Sequence, residues 1–351
     1  MSYGVGLLGN RAHQMSYGPI LEARPDCRIV AAAEHRADKA GPLEERFGVV
    51  CGPDYNAVLE DPDVQIVSIA TDFYLKRPLI TKAIACGKHV LVDKPLSRTV
   101  REAREISGAA EGSGIRIVLS YPIRYLPGLA ALARGIRTGA YANISSYTHH
   151  FVRQFKDSDL MQYVSYPTPV NVNGGGELMN LGSHAVDYLH HLFGMPGRIF
   201  SSMRNAYWDE YQAFGTEDMA TVVCEYGDFV ATLVTGRNKL EEEGPPANAV
   251  DVTAQGHWIH AEPESMLVNG VSLDLPASPV QYSDACVQEL IDSIEEDRDP
   301  VMSVSDGLAV AEMTTAAYQS AQTGEFVTLP LENVNHPLID ADVQVIEGFL
   351  D

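Results

Sequence analysis

Tyr3-Gly4-Val5-Gly6-Leu7-Leu8 is a short apolar run that ends at once in Gly9, and a helical stretch follows to about Ala23. A buried strand, a tight turn and a helix in that order open a βαβ unit. The pattern repeats outward. Strand-like runs recur at Arg28–Ala33, Gln65–Ala70, Lys88–Val92 and Arg116–Leu119, with helical stretches between them, among them Pro78–Cys86 and Val100–Glu111. Such alternation predicts a parallel sheet with helices on both faces and right-handed crossovers. After Ser120 the texture changes. One helix runs to about Thr138, and strand-like runs then dominate: Ile144–Phe151, Arg198–Trp208, Met219–Tyr226, Phe229–Arg237, Ala249–Ala261 and Met266–Leu275. Gly227-Asp228 and Asn269-Gly270 are hairpin signals. Helices are expected at Glu177–Phe193, Ala285–Glu296 and Gly307–Gln322. The fold class is therefore α/β: an N-terminal domain over residues 1–122 with a parallel sheet, and a C-terminal α/β domain over 123–351 with a large, mostly antiparallel open sheet.

With 25 basic and 47 acidic residues the 351-residue chain carries a formal charge of −22. So acidic a surface repels phosphate backbones and anionic lipid, which argues against nucleic-acid and membrane partners. The five cysteines, at 27, 51, 86, 224 and 286, include no CxxC, so neither a disulfide framework nor a zinc ribbon is indicated. No apolar run is long enough to span a bilayer, and Met1 leads directly into the first strand, so a cytoplasmic location is expected.

A strand, Gly9, a helix, a second strand and then Glu34 outline a dinucleotide site, with the pyrophosphate at a helix N-terminus. The six turn positions read Gly9-Asn10-Arg11-Ala12-His13-Gln14, so only the first glycine of GxGxxG is present. Arg11 can offer a guanidinium to the pyrophosphate where a glycine would let the backbone approach; a plain βα turn reads as well. Glu34 can accept from ribose hydroxyls and repels a 2′-phosphate, which favours NAD over NADP, although Arg36 nearby could take that phosphate.

Further along stand two longer motifs. Gly87-Lys88-His89-Val90-Leu91-Val92-Asp93-Lys94-Pro95-Leu96 resembles the E-K-P segment of the Gfo/Idh/MocA oxidoreductases, with Asp93 for Glu. Gly174-Gly175-Gly176-Glu177-Leu178-Met179-Asn180-Leu181-Gly182-Ser183-His184-Ala185-Val186-Asp187 resembles that family's GGG-x-L-x-D-x-G-x-H-x-x-D helix. Ser120-Tyr121-Pro122-Ile123-Arg124-Tyr125 is a third, weaker match. The resemblance implies a Rossmann domain, a nicotinamide cofactor, and a sugar, cyclic polyol or related carbonyl compound as substrate. It also implies Lys94 near nicotinamide and substrate hydroxyl, His184 as acid/base, Asn180 one turn before it, and homodimers or homotetramers built on the open sheet. Gly9, Asn10, Arg11, Glu34, Arg36, Thr71, Asp72, Tyr74, Asp93 and Lys94 are the expected cofactor residues, and Tyr121, Arg124, Arg153, His184 and Asp187 the expected substrate residues.

The chain departs from the family pattern at several positions. Asn180 replaces an Asp and cannot take a proton, Pro122 replaces an Asn, and Thr71-Asp72-Phe73-Tyr74-Leu75-Lys76 has lost the Pro and both His of T-P-x-H-x-H. Asn180, His184, Asp187 and His191 follow an i, i+4, i+7, i+11 spacing that would put them on one helix face. His184 and His191 lie two turns apart, about 10 Å along the axis, too far for one metal ion. Two functions remain in view: an NAD-dependent oxidoreductase acting on CH–OH groups, and a nucleotide-binding sensor or partner-binding protein that kept the fold.

Overall fold

The computed structural model describes residues 2–11, 13–155, 174–239, 247–276 and 282–339. Among these, one compact unit holds the chain up to Ser120 together with a later segment ending at Leu308; the other begins at Tyr121 and resumes at Ala309.

In the first unit β1 (Tyr3–Leu8), β2 (Cys27–Ala33), β3 (Cys51–Gly52), β4 (Ile66–Ile69), β5 (His89–Asp93) and β6 (Ile117–Ser120) form a wholly parallel sheet in the order β3-β2-β1-β4-β5-β6. Val5, Leu7, Leu8, Ile66, Val67, Ile69, Val90 and Leu91 are buried in it, as near-continuous apolar strands covered on both faces must be. Helices α1 (Gln14–Ala23), α2 (Ala37–Phe47), α3 (Tyr55–Leu59), α4 (Phe73–Ala85) and α5 (Val100–Ala110) make the crossovers. Strand order reverses between β1 and β4, the switch point where open α/β sheets place their ligands.

The second unit carries β7 (Ile144–Phe155), β8 (Arg198–Arg204), β9 (Met219–Glu225), β10 (Val230–Lys239), β11 (Ala247–Ala254), β12 (His257–Ala261), β13 (Met266–Val268), β14 (Val271–Ser272) and β15 (Val327–Thr328). They form one sheet in the order β14-β13-β12-β11-β7-β10-β9-β8-β15, antiparallel at every pairing except β7 with β10. Helix α6 (Pro127–Arg137) precedes β7, and α7 (Ser183–Phe193) and α8 (Asp209–Ala213) follow it; the chain then returns to the first unit for α9 (Asp284–Glu295) before α10 (Val304–Thr323). Both expected sheets are present, and no helix among the described residues is long and apolar enough to cross a membrane.

Three elements differ from the sequence reading. The run Ala249–Ala261 is two strands, because Gly256 takes a positive φ of 78° and closes a hairpin between β11 and β12. The strand from Arg198 stops at Arg204, where the buried Asp218 carboxylate accepts the N–H groups of Ala206, Tyr207 and Trp208 and turns the chain into α8. The helix expected from Glu177 opens with a wide π turn, Leu178–Gly182, before α7 begins. That turn removes the simple one-face register assumed for Asn180 and His184.

Helix α6 seats its first turn on backbone. A Cβ on Gly128 would lie 2.0 Å from Glu262 O and 2.3 Å from Ser265 O, while the Gly128 N–H donates to Pro263 O. Gly108, exposed in α5, has nothing within 4 Å. Gly108→Ala should therefore stabilise by up to about 1 kcal/mol through helix propensity. Gly128→Ala should destabilise by about 1–3 kcal/mol through overpacking. Denaturant melts giving the same sign for both would contradict the α6 seat.

Candidate functional site

In the first unit a cluster of candidate residues gathers at the carboxyl ends of β1, β2 and β4. Gly9 holds a φ of 82°, and a Cβ there would meet Ala70 O at 2.6 Å. Its N–H donates to Ala33 O, and that of Arg11 donates to Ala70 O, so the turn is tied to both neighbouring strand ends. Helix α1 starts without a capping side chain or an acidic residue in its own first turn. The Asn10 N–H donates to Glu34 Oε2 at 2.8 Å.

Around this turn Glu34, Arg36, Asp72 and Arg11 form a connected set of charged side chains, with His35 Nδ1 3.1 Å from Glu34 Oε1. Arg36 donates through Nε and Nη2 to the two oxygens of Glu34 (3.1 and 3.2 Å) and through Nη1 to Asp72 Oδ2 (3.0 Å). Arg11 Nη1 donates to Asp72 Oδ1 at 3.2 Å, its guanidinium 4.5 Å from the Phe73 ring centroid. Thr71 precedes Asp72 and is buried; Tyr74 is half-buried, and burial, then Asp72, pushes its hydroxyl pKa up. Burial opposes the Glu34 charge, but hydrogen bonds from His35, Arg36 and the Asn10 amide outweigh it and hold the carboxyl at about 2. A depressed carboxyl stabilises the fold above its unfolded pKa, and that contribution is lost as the pH falls through the folded value. Glu34→Gln should thus be less stable than wild type at pH 7, by a margin that shrinks from pH 4.5 to pH 2. A pH-independent margin in equilibrium denaturation would remove the Glu34 charge from this account.

The Asp93-Lys94-Pro95 segment at the end of β5 is fixed from two sides. Asp93 Oδ1 lies 2.9 Å from His13 Nδ1, at the start of α1, and 3.3 Å from the Tyr17 hydroxyl, which donates to Ser120 Oγ. Burial would raise the Asp93 carboxyl, but His13, Lys76 and Lys94 outweigh it and hold it far below the usual range. From α4, Lys76 donates to the carbonyls of Asp93, Lys94 and Pro95, the last two at 2.8 Å. Lys76 is fully buried, and that burial drives its pKa well below the ordinary lysine value. Lys94 is itself 5% exposed.

Sequence reading noted Lys76 only as a lost histidine and passed over His13. The available signal was a lysine on the apolar stripe Phe73, Leu79, Ile80 and Ala83 of a buried helix. Lys76→Met keeps the volume and deletes the donors; it should cost at least about 2 kcal/mol, because buried carbonyls are left unpaired. A thermal melt within a degree of wild type would refute that role.

A separate cluster of candidate residues lies within the other unit. Tyr121 begins a 3₁₀ turn, Pro122–Tyr125, and its buried ring meets His184 edge-on at 5.6 Å; Phe151 of β7 meets the same imidazole at 6.2 Å. His184 is 5% exposed. Arg124 and Asp187 form a bidentate pair at 2.8 and 2.5 Å with both side chains buried, which ties the Tyr121 turn to α7. Asn180 is half-buried, and its amide donates to Glu177 Oε1 at 3.1 Å. Arg153 is half-buried on β7, in register with Arg237 of β10.

The glycine run before this helix is anchored by two buried carboxylates that the sequence reading did not single out. Glu177 pairs with Arg237 and accepts from the Tyr211 hydroxyl. Glu217 accepts from the Gly176 and Leu178 amides and from the Tyr318 hydroxyl. Among the described residues no group of three or more His, Cys, Asp or Glu side chains is arranged to hold a metal ion.

A doubly wound parallel sheet with a glycine turn at its switch point, an acid closing β2 and a buried lysine closing β5 has the outline of a dinucleotide-binding domain. Residues 3–121 match the oxidoreductase family with an NAD-binding Rossmann fold, and residues 129–256 match the GFO/IDH/MocA C-terminal domain. The chain belongs to the GFO/IDH/MocA family. It is 26% identical over 201 residues to levoglucosan dehydrogenase of Pseudarthrobacter phenanthrenivorans, an alignment covering 54% of this chain and 51% of that protein. The chain thus spans about half the length of that relative. It is 23% identical to scyllo-inositol 2-dehydrogenase (NADP(+)) IolW of Bacillus subtilis, over 76% of this chain and 68% of that one. The fold is shared with an oxidoreductase from Agrobacterium radiobacter solved with NAD+, L-tartaric acid and magnesium: TM-score 0.81, 17% identity, 93% of this chain and 98% of that one.

Proposed function

We propose that the protein is an NAD-dependent oxidoreductase that moves a hydride between nicotinamide and a hydroxyl or carbonyl of a sugar, cyclic polyol or related small molecule. The observation that carries this reading is the tie between the dinucleotide turn and the catalytic lysine. His13, at the entry to α1, is bonded to Asp93, and Lys76 fixes the backbone of Lys94. The side chains suit a dinucleotide: the Arg11 guanidinium for pyrophosphate, and the Glu34–Arg36 pair for the adenosine ribose. The nicotinamide, when bound, supplies or accepts the hydride. Lys94 stabilises the developing alkoxide, and His184 holds or releases the hydroxyl proton. Asn180 orients and carries no charge. Arg124 and Asp187 act through their pairing, which positions the Tyr121 turn beside His184; Arg153 is assigned to an anionic or hydroxyl-rich substrate. NAD rather than NADP is assigned on Glu34. The dehydrogenases of levoglucosan and scyllo-inositol among its relatives support a polyhydroxylated substrate.

The test is a fluorescence titration with NADH and NADPH followed by a panel of polyols and ketoses. Tight NADH binding with turnover on one member is expected. Lys94→Ala and His184→Ala should each lower turnover by at least about 10²-fold while changing NADH affinity little. Cofactor binding without turnover on any substrate would favour the sensor reading. A homodimer or homotetramer belongs to the same proposal, supported by the half-buried Val223 and exposed Val230 on the sheet. Light scattering giving a stable 38.2 kDa species at micromolar concentration would contradict it.

A further inference from the structure

Asp72 stands at the N-cap of α4, where an aspartate ordinarily accepts from a helix amide. Here its carboxylate makes no such bond. It turns instead to Arg11 and Arg36. The consequence falls on Arg36. An arginine beside the acid that ends the second strand is the group that accommodates a 2′-phosphate. In this chain Nε and Nη2 of Arg36 are directed at Glu34 and Nη1 at Asp72.

We propose that Asp72 sets the dinucleotide preference of this chain by clamping Arg36 against Glu34 and so withholding its guanidinium from a 2′-phosphate. The inference rests on the reading of this end of the sheet as an NAD(P) site. Two carboxylates and two guanidiniums form a neutral set, with Glu34 1% and Asp72 3% exposed. Turning Arg36 toward a phosphate would strip a partner from both buried acids while bringing about two further negative charges beside them. A ribose hydroxyl brings no such charge. Glu34 alone does not impose this: without Asp72, Arg36 could keep one bond to Glu34 and offer its Nη1 face to phosphate.

The experiment is a paired titration of NADH and NADPH, followed by fluorescence, on wild type, Asp72→Asn, Asp72→Ser (which keeps a capping hydroxyl for α4) and Asp72→Asn/Arg36→Ala. The ratio of the two dissociation constants should move toward NADPH by at least about tenfold in both single variants, the scale of one charge-assisted hydrogen bond. The double variant should lose that gain. Equal weakening of both cofactors, with the ratio unchanged, would make Asp72 merely structural and overturn the proposal. A gain that survives the loss of Arg36 overturns it as well. A wild type that already prefers NADPH tenfold overturns the clamp while leaving the oxidoreductase reading intact. A wild type that binds neither cofactor overturns both.

Discussion

A fully buried lysine has to find oxygen acceptors for its hydrogen bonds. Lys76 meets that requirement with the carbonyls of three consecutive residues at the end of β5. A charged or polar group in a dry interior is costly unless its hydrogen bonds are complete. The backbone of Asp93-Lys94-Pro95 is thereby held in one course, and the side chain of Lys94 leaves it in one direction. Asp93, tied to His13 and Tyr17, extends the constraint to the start of α1. The Gly9 turn and Lys94 are thus parts of one polar assembly, laid across the carboxyl edge of an otherwise apolar sheet.

The second unit solves a similar problem with the opposite charge. Gly175 has a φ of 151° and Gly176 would place a Cβ 2.0 Å from Glu217 O, so the run can lie close against its neighbours only without side chains. Burial raises the Glu217 carboxyl, while the opposing bonds from the Leu178 amide and Tyr318 are the ones that give it a structural task. Glu177 is held in its charged form against its burial by Arg237 and Tyr211. Both acids brace the π turn that leads into α7.

The architecture was legible in the sequence because it is written locally. Short β-branched runs, the Asn269-Gly270 hairpin and the Gly9 turn each announce themselves within a few residues. The D-K-P segment and the glycine-run helix were legible through family resemblance. What stayed hidden depends on partners far apart in the chain. Lys76 reads as a substitution until its carbonyl partners, 17 to 19 residues on, are seen. Arg124 and Asp187 read as two separate substrate residues until their 63-residue separation closes into an ion pair. The π turn was invisible because its sequence also suits an α-helix, and Gly182, where a Cβ would lie 2.8 Å from the Thr235 methyl, marks the crowding there.

Helix α9 belongs to the first unit, although the chain reaches it only after the whole second sheet. Its Cys286, Leu290 and Ile291 are buried, Cys286 lies against Ser120, and Gln288 accepts from Arg24. A nascent chain leaving the ribosome therefore exposes β6 and the flank of α1 while more than 160 further residues are made. The packing of the N-terminal sheet is complete only once α9 has been made. A fragment cut after Ser120 would carry every residue of the dinucleotide turn and still lack one wall of its own core.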